Sequence, residues 1–234
     1  MRFEWILFDA DDTLLDFTSS ARHAFSAMLN DFSIDEQDVH YPLYRQCNHE
    51  AWAAYEAGEI DSMTLRARRF ARFMERAGIE DGPEPLEMNG VFLRELIGHT
   101  IPVEGALELL EALHGKIKMA LVTNGLKEVQ RPRVNHIRFD RFFEAIIVSD
   151  EIGLAKPDPA FFAYTHQAIG CPLKSQMLVV GDNLRSDIEG GQRFDLPTCW
   201  YNPQKQNNPS GIKPDYEIHG LEELRLILSE ARMQ

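Results

Sequence analysis

Trp5-Ile6-Leu7-Phe8-Asp9-Ala10-Asp11-Asp12-Thr13 is the stretch on which the fold turns. A short apolar run, the length of a buried strand, ends in three carboxylates and a threonine. Parallel strands of α/β sheets carry their chemistry just beyond their carboxyl ends. Along an extended exit Asp9 and Asp11 project to one side, Ala10 and Asp12 to the other. Two carboxylates so placed repel each other unless they share a proton or bind a cation. Mg²⁺ suits such a site, because it takes few protein ligands and completes its shell with water and phosphate. The same residues also read as a solvated acidic turn, or as a helix N-cap at Asp11, Asp12 or Thr13.

Working outward, three further runs resemble the first: Lys116–Val122, Ala145–Val148 and Met177–Val180. They end in Thr123-Asn124-Gly125, Ser149-Asp150-Glu151 and Gly181-Asp182-Asn183, and a helix-like stretch follows each. Pro197–Tyr201 reads as a fifth strand, and Leu221, Leu224, Ile227 and Leu228 form an apolar helical stripe. Alternating strands and helices predict an α/β fold, a Rossmann-like parallel sheet with helices on both faces.

Residues 17–98 break the rhythm with helical stretches at Ser20–Leu29, Leu43–Ala57, Ser62–Ala77 and Leu86–Ile97. They predict a helical insertion (17–98) in a core made of 1–16 and 99–234, with candidate hinges near Phe17 and His99–Pro102. Within Leu65–Arg76 the helical arc holding Arg68, Arg69, Arg72 and Arg76 reads as a solvated face. Arg66 falls on the apolar arc, with either a neighbouring acid or a ligand as its partner.

The chain has 234 residues, 44% apolar and 26% charged, which is a globular composition. A net charge of −13 argues against nucleic acid or an anionic membrane as partner, though not against a small anionic substrate. Cys47, Cys171 and Cys199 show no paired spacing, so reduced thiols and a cytoplasmic location are expected. No apolar run approaches the ~18 residues of a membrane helix, and Ile6-Leu7-Phe8 is too short for a signal peptide. Nothing in the sequence speaks to oligomeric state.

Each polar strand end is a weak signal alone. Thr123-Asn124-Gly125 could be a turn, and Lys156-Pro157-Asp158-Pro159 a helix start with Asp158 as cap. Together they bring carboxylates, a hydroxyl, a lysine and more carboxylates to one sheet edge. That set suits phosphoryl transfer, which needs neutralised phosphoryl oxygens, an in-line nucleophile and a proton for the leaving oxygen. A carboxylate nucleophile divides the task through an aspartyl-phosphate. Mg²⁺ and Lys156 would supply positive charge, while Thr123 and nearby backbone N–H groups hold oxygens. Asp182, with Asn183 or Asp187 behind it, would complete the metal shell.

The ordered motifs Asp-x-Asp-x-Thr, Thr after a strand, Lys-Pro, and Gly-Asp-x-x-x-x-Asp resemble the haloacid dehalogenase superfamily of phosphohydrolases, across the whole chain. The resemblance implies Asp9 as nucleophile and Asp11 as general acid/base, with Asp11 offering its backbone carbonyl to the metal. It implies Thr123 and Lys156 as the motif hydroxyl and cation, Asp182 as the metal acid, and Asp187 in support. Phosphate would be held by Thr123, Asn124, Gly125 and Lys156. The metal, Mg²⁺ or Mn²⁺, would be held by Asp9, Asp11 and Asp182, with Asn183 and Asp187 supporting. The insertion resembles the family's helical cap. Namesake dehalogenases lack the second Asp, which is present here as Asp11.

Tyr55-Glu56-Ala57-Gly58-Glu59-Ile60, Arg69-Phe70 and Thr198-Cys199-Trp200-Tyr201-Asn202 further resemble the house-cleaning pyrimidine 5′-nucleotidase branch. Arg193-Phe194-Asp195 departs from it where relatives carry a small residue and a glycine; Asp195 can supply the left-handed backbone of a helix end. The expected substrate is therefore a small phosphorylated metabolite, a nucleotide by resemblance. Sugar phosphates or phosphoglycolate, a phosphomutase, and a non-catalytic phospho-receiver are the alternatives. The last lacks a place for the helical insertion.

Overall fold

Strand β1 (Trp5–Phe8) is buried throughout and lies inside a six-stranded sheet ordered β3-β2-β1-β4-β5-β6. The computed structural model describes residues 3–230. β2 (Lys118–Thr123), β3 (Ala145–Val148), β4 (Met177–Gly181) and β5 (Thr198–Tyr201) occupy the apolar runs expected of them. Every pairing is parallel. β6 (Tyr216–Ile218) was not anticipated; three residues carry no periodic signal, and pairing with β5 is what makes them a strand.

The helices are α1 (Phe17–Asp31), α2 (His40–Glu56), α3 (Ser62–Ala77), α4 (Pro85–Gly98) and α5 (Ala106–Leu113). α6 (Lys127–His136), α7 (Ser149–Ile152), α8 (Pro159–Ala168), α9 (Gly190–Arg193) and α10 (Leu224–Glu230) follow. The chain divides into two compact units, residues 1–17 with 101–234, and residues 18–100.

In the first unit, alternation sorts each strand's side chains onto two faces. Ile6, Phe8, Met119, Leu121, Leu178 and Val180 pack with α5, with Val134 of α6 and with Leu221, Leu224 and Leu228. Trp5, Leu7, Ala120, Val122, Met177 and Val179 pack with Phe161 and Phe162 of α8. Each such side chain contributes roughly 1.5–3 kcal/mol of burial, which is why the strands read as continuous apolar runs. Phe8 pairs with Leu121 on one side and Val180 on the other. That register sets the residues after β1, β2 and β4 along one edge. Asp158 caps α8 by accepting from Ala160 N–H, and Pro159 opens the helix. Asp195 adopts φ +58°, the left-handed backbone expected of it.

The second unit is helical. Its core stacks Phe25, Tyr44 and Phe70, with ring centroids 4.9 and 5.1 Å apart. α3 starts at the Asp61 cap and stops at left-handed Gly78. The arginine reading is corrected here: Arg69 is buried, not solvated. It donates to Asn48 Oδ1 and Asn89 Oδ1, and its guanidinium lies 5.0 and 5.2 Å from the ring centroids of Phe70 and Phe92. Leu65, Arg69 and Phe73 recur every fourth residue, so the buried stripe runs through Arg69. Arg66 is half-buried and donates to Ser62 O, one turn back.

Candidate active site

The edge beyond β1, β2 and β4 gathers the charged residues. Asp9 follows β1 directly and is 7% exposed. Its Oδ1 accepts from Lys156 Nζ at 2.6 Å and its Oδ2 from Thr13 Oγ1 at 3.2 Å. The same Lys156 Nζ donates to Asp187 Oδ1 at 2.6 Å and to Val122 O at 2.9 Å. All three donors of the ammonium are therefore engaged at a buried position. Asp187 reaches Lys156 because Gly181 has no side chain; a Cβ there would collide with the Asp187 carboxylate. The other Asp187 oxygen accepts from Asn183 N–H at 3.2 Å.

Asp182, at the exit of β4, is placed by its backbone. Its N–H donates to Thr13 Oγ1 at 3.1 Å, and its carbonyl accepts from Trp200 Nε1 at 2.8 Å. One hydroxyl, Thr13, thus ties the two carboxylates' segments together. Asp9, Asp182 and Asp187 each offer an oxygen within 4.8 Å of the others'.

The crowding shows in the proton affinities. Burial, only partly offset by Lys156 and reinforced by the Asp187 and Asp11 charges, pushes Asp9 up to about 7. Burial and the charges of Asp9, Asp187 and Asp12 push Asp182 up to about 9. Burial alone would lower Lys156, but the Asp187 and Asp9 carboxylates hold it above the ordinary lysine range. Clustered carboxylates that retain protons are the oxygen-donor set of a hard divalent cation, and these residues fit one. Asp9 and Asp182 could hold it. Asp187 has both oxygens committed, to Lys156 and to Asn183 N–H, and supports from behind.

Asp11 stands apart from that cluster. Its Oδ1 accepts from Arg133 Nη1 at 2.5 Å and its Oδ2 from Gln130 Nε2 at 2.8 Å. The carboxylates drawn together are therefore Asp9, Asp182 and Asp187, not Asp9 and Asp11 as the strand-exit geometry suggested. Gln130 Nε2 also donates to Thr123 Oγ1 at 2.8 Å, and Gln130 Oε1 accepts from Arg133 Nη1 at 2.9 Å.

Two expected phosphate contacts have partners within the chain. The Asn124 side chain exchanges two 2.8 Å bonds with the backbone of Lys156, so it is a clamp on the lysine loop. Gly125 N–H donates to Ser149 Oγ at 3.1 Å. The Asn124 side chain and the Gly125 N–H are thus engaged within the chain, as are the three donors of Lys156, while Thr123 accepts from Gln130 and keeps a hydroxyl hydrogen to donate. Asn183 caps the wide turn Leu184–Glu189 that carries Asp187, accepting from Arg185 and Ser186 N–H.

Sequence reasoning missed Gln130, Arg133 and Trp200. The first two had a signal: in α6, Val129, Gln130, Arg133 and Val134 share the buried face, so two polar residues interrupt an apolar stripe. Burying them costs stability unless they are partnered. Gln130 is partnered, but Arg133, fully buried, has Nε and Nη2 without a partner among the described residues.

Comparison with known proteins agrees with this architecture. Residues 3–195 match the haloacid dehalogenase-like hydrolase family, to which the chain belongs. It is a hydrolase of that class. Among its relatives is the pyrimidine 5′-nucleotidase YjjG of Escherichia coli, 34% identical over 97% of this chain and 99% of that one. Another is the pyrimidine 5′-nucleotidase PynA of Streptococcus pneumoniae, 28% identical over 96% of this chain and 94% of that one. The solved structure of YfnB from Bacillus subtilis, named as a HAD-hydrolase and bound to magnesium, matches with a TM-score of 0.89 at 32% identity. That match covers 97% of this chain and 99% of that one. Among the described residues no helix is long and apolar enough to cross a membrane.

Proposed function

We propose that this protein is a Mg²⁺-dependent phosphatase of small phosphomonoesters, acting through an aspartyl-phosphate on Asp9, with pyrimidine nucleoside 5′-monophosphates as substrates. The observation that carries the chemistry is Asp9 itself. It is nearly buried at the sheet edge, held at both oxygens, with Asp182 beside it. The nucleotide part is drawn from the two relatives named as pyrimidine 5′-nucleotidases.

A bound Mg²⁺, held by Asp9, Asp182 and the Asp11 backbone carbonyl, would supply the positive charge that lets one anion approach another. The rest falls to the chain's own residues. Lys156 and Thr13 fix the Asp9 carboxylate and keep it from rotating out of line. Asp9 Oδ attacks phosphorus while the ester oxygen leaves and takes a proton from Asp11. Thr123 accepts from Gln130, which leaves its hydroxyl hydrogen to donate to a phosphoryl oxygen. Asp11 then removes a proton from water, whose oxygen attacks the phosphoryl group, and Asp9 is released with inorganic phosphate. Lys156 stays charged throughout, because its two carboxylate partners hold its proton.

A phosphate-release panel tests the reading. Pyrimidine nucleotides such as dUMP, dTMP and UMP are expected to show the highest kcat/KM, with activity lost in excess chelator. A higher kcat/KM for a hexose phosphate or phosphoglycolate overturns the nucleotide part, and turnover that survives the chelator overturns the metal.

A further inference from the structure

Beyond the bond from Gln130 to Thr123, the Gln130–Arg133 pair has no role in the chemistry above, yet its donors engage both oxygens of Asp11. Arg133 Nη1 also donates to Gln130 Oε1. That bond decides which end of the glutamine faces the site. A flipped amide would set Nε2 against the guanidinium and Oε1 against the Asp11 carboxylate. With Gln130 locked, its Nε2 bridges Asp11 Oδ2 and Thr123 Oγ1, linking the exits of β1 and β2. Gly125 clears the space: a Cβ there would lie 2.5 Å from Gln130 Cγ.

A purely structural reading fits poorly. A structural arginine in a buried stripe is expected to have its donors satisfied. Arg133 instead directs one nitrogen at Asp11 and Gln130, and buries Nε and Nη2 without partners among the described residues. The anchoring of α6 is already supplied by Val129 and Val134. Its guanidinium lies 5.6 Å from the ring centroid of Phe17, which contributes shape but no acceptor oxygen.

We propose that Gln130 and Arg133 are positioning residues for the acid/base step, holding the Asp11 carboxylate where it exchanges a proton with the leaving oxygen and then with water. This rests on the assignment of Asp11 as the acid/base, and the experiment separates the two claims. General acid help matters more as the leaving group becomes more basic. The Mg²⁺-loaded enzyme is rapidly mixed with phenyl phosphate or p-nitrophenyl phosphate, and formation of phosphoenzyme is followed by quench and intact mass. The proteins are the wild type, Asp11→Asn, Gln130→Met, Arg133→Met, Arg133→Lys, and Gln130→Met combined with Asp11→Asn.

Gln130→Met and Arg133→Met are expected to slow phosphorylation by phenyl phosphate about 10–10²-fold, the scale of a misplaced group. The loss is expected to be several-fold smaller with p-nitrophenyl phosphate, with KM nearly unchanged. Arg133→Lys recovers part of the loss, because it keeps the charge and a donor. Phosphoryl-Asp9 accumulates in the variants with p-nitrophenyl phosphate, because water activation depends on the same carboxylate. In the Asp11→Asn background, Gln130→Met keeps only a small further loss, the same for both leaving groups, from its missing bond to Thr123 Oγ1. Equal loss for both leaving groups, or the same loss in the Asp11→Asn background, overturns the positioning role. If Asp11→Asn itself loses both rates equally, the acid/base assignment falls, and the inference with it. Should Arg133→Met fail to give the wild-type circular dichroism spectrum, Gln130→Met carries the test alone.

Discussion

Asp9 must be ionised to act as a nucleophile, yet its surroundings favour the protonated form. Burial and the carboxylates of Asp187 and Asp11 push it up, and Lys156 only partly opposes them. In Asp9→Asn the position keeps its shape but loses nucleophile and charge. Phosphate release is expected to fall to the buffer blank, with no phosphoryl adduct in the intact mass; measurable turnover would move the nucleophile elsewhere. Lys156 acts by its charge as much as by its hydrogen bonds. Lys156→Met leaves Asp9 and Asp187 buried without their cation, and removing one partner of a buried pair typically costs about 3–5 kcal/mol. Urea unfolding of the metal-free protein reads that loss, and a change below about 1 kcal/mol would deny the ion pair a structural role. At this scale the sequence was legible where a residue ends a strand, as Thr123 does, or follows one, as Asp9 and Asp182 do. It was opaque where function sits one helical turn away. Gln130 and Arg133 are polar interruptions of a stripe, and their meaning comes from Asp11, more than a hundred residues earlier.

The turn after β4 shows how an element, rather than a residue, delivers charge. Asn183 caps it, Asp187 projects from its wide Leu184–Glu189 coil, and Gly181 at the strand end yields the space. Gly181→Ala is expected to drive the Asp187 carboxylate off Lys156. Overpacking of this kind costs about 1–3 kcal/mol, and a displaced Lys156 is expected to lower kcat about 10–10²-fold with little change in KM. A steady-state comparison alongside a thermal melt checks both; wild-type kcat would mean that Asp187 does not position the lysine. The strands β1 to β5 were readable because two-sided burial forces continuous apolar runs. β6 was not, because Tyr216-Glu217-Ile218 owes its conformation to its β5 neighbour. α3 was readable as a helix from its Asp61 cap to Gly78, yet one face was misjudged. A wheel sorts by side-chain class, and Arg69 satisfies its charge inside, on Asn48, Asn89 and two aromatic rings.

For the whole molecule, the carboxylate cluster adds a local repulsion to a chain that already carries a net charge of −13. On folding, the proton affinity of Asp9 rises from 3.8 to about 7, and that of Asp182 from 3.8 to about 9. Between those values the folded chain binds more protons than the unfolded one, so stability falls as pH rises. The contribution is complete below about pH 4 and is lost as pH climbs through 7 and then 9. A divalent cation seated among the same oxygens replaces the lost protons. At a concentration about a hundredfold above its Kd, it is expected to add about 2.7 kcal/mol. The metal-free protein should therefore show a Tm that declines from pH 5 to pH 9, and saturating Mg²⁺ should raise the Tm most at the alkaline end. Asp182→Asn removes one proton-binding carboxyl and one ligand together. Its metal-free form should melt higher than the wild type at pH 8, because the wild type must take up a proton at Asp182 on folding there and the amide need not, and Mg²⁺ should barely move it. Scanning calorimetry across pH, with Mg²⁺ or chelator, measures all three. A Tm of Asp182→Asn that still rises with Mg²⁺ as the wild type's does would place the cation away from this cluster.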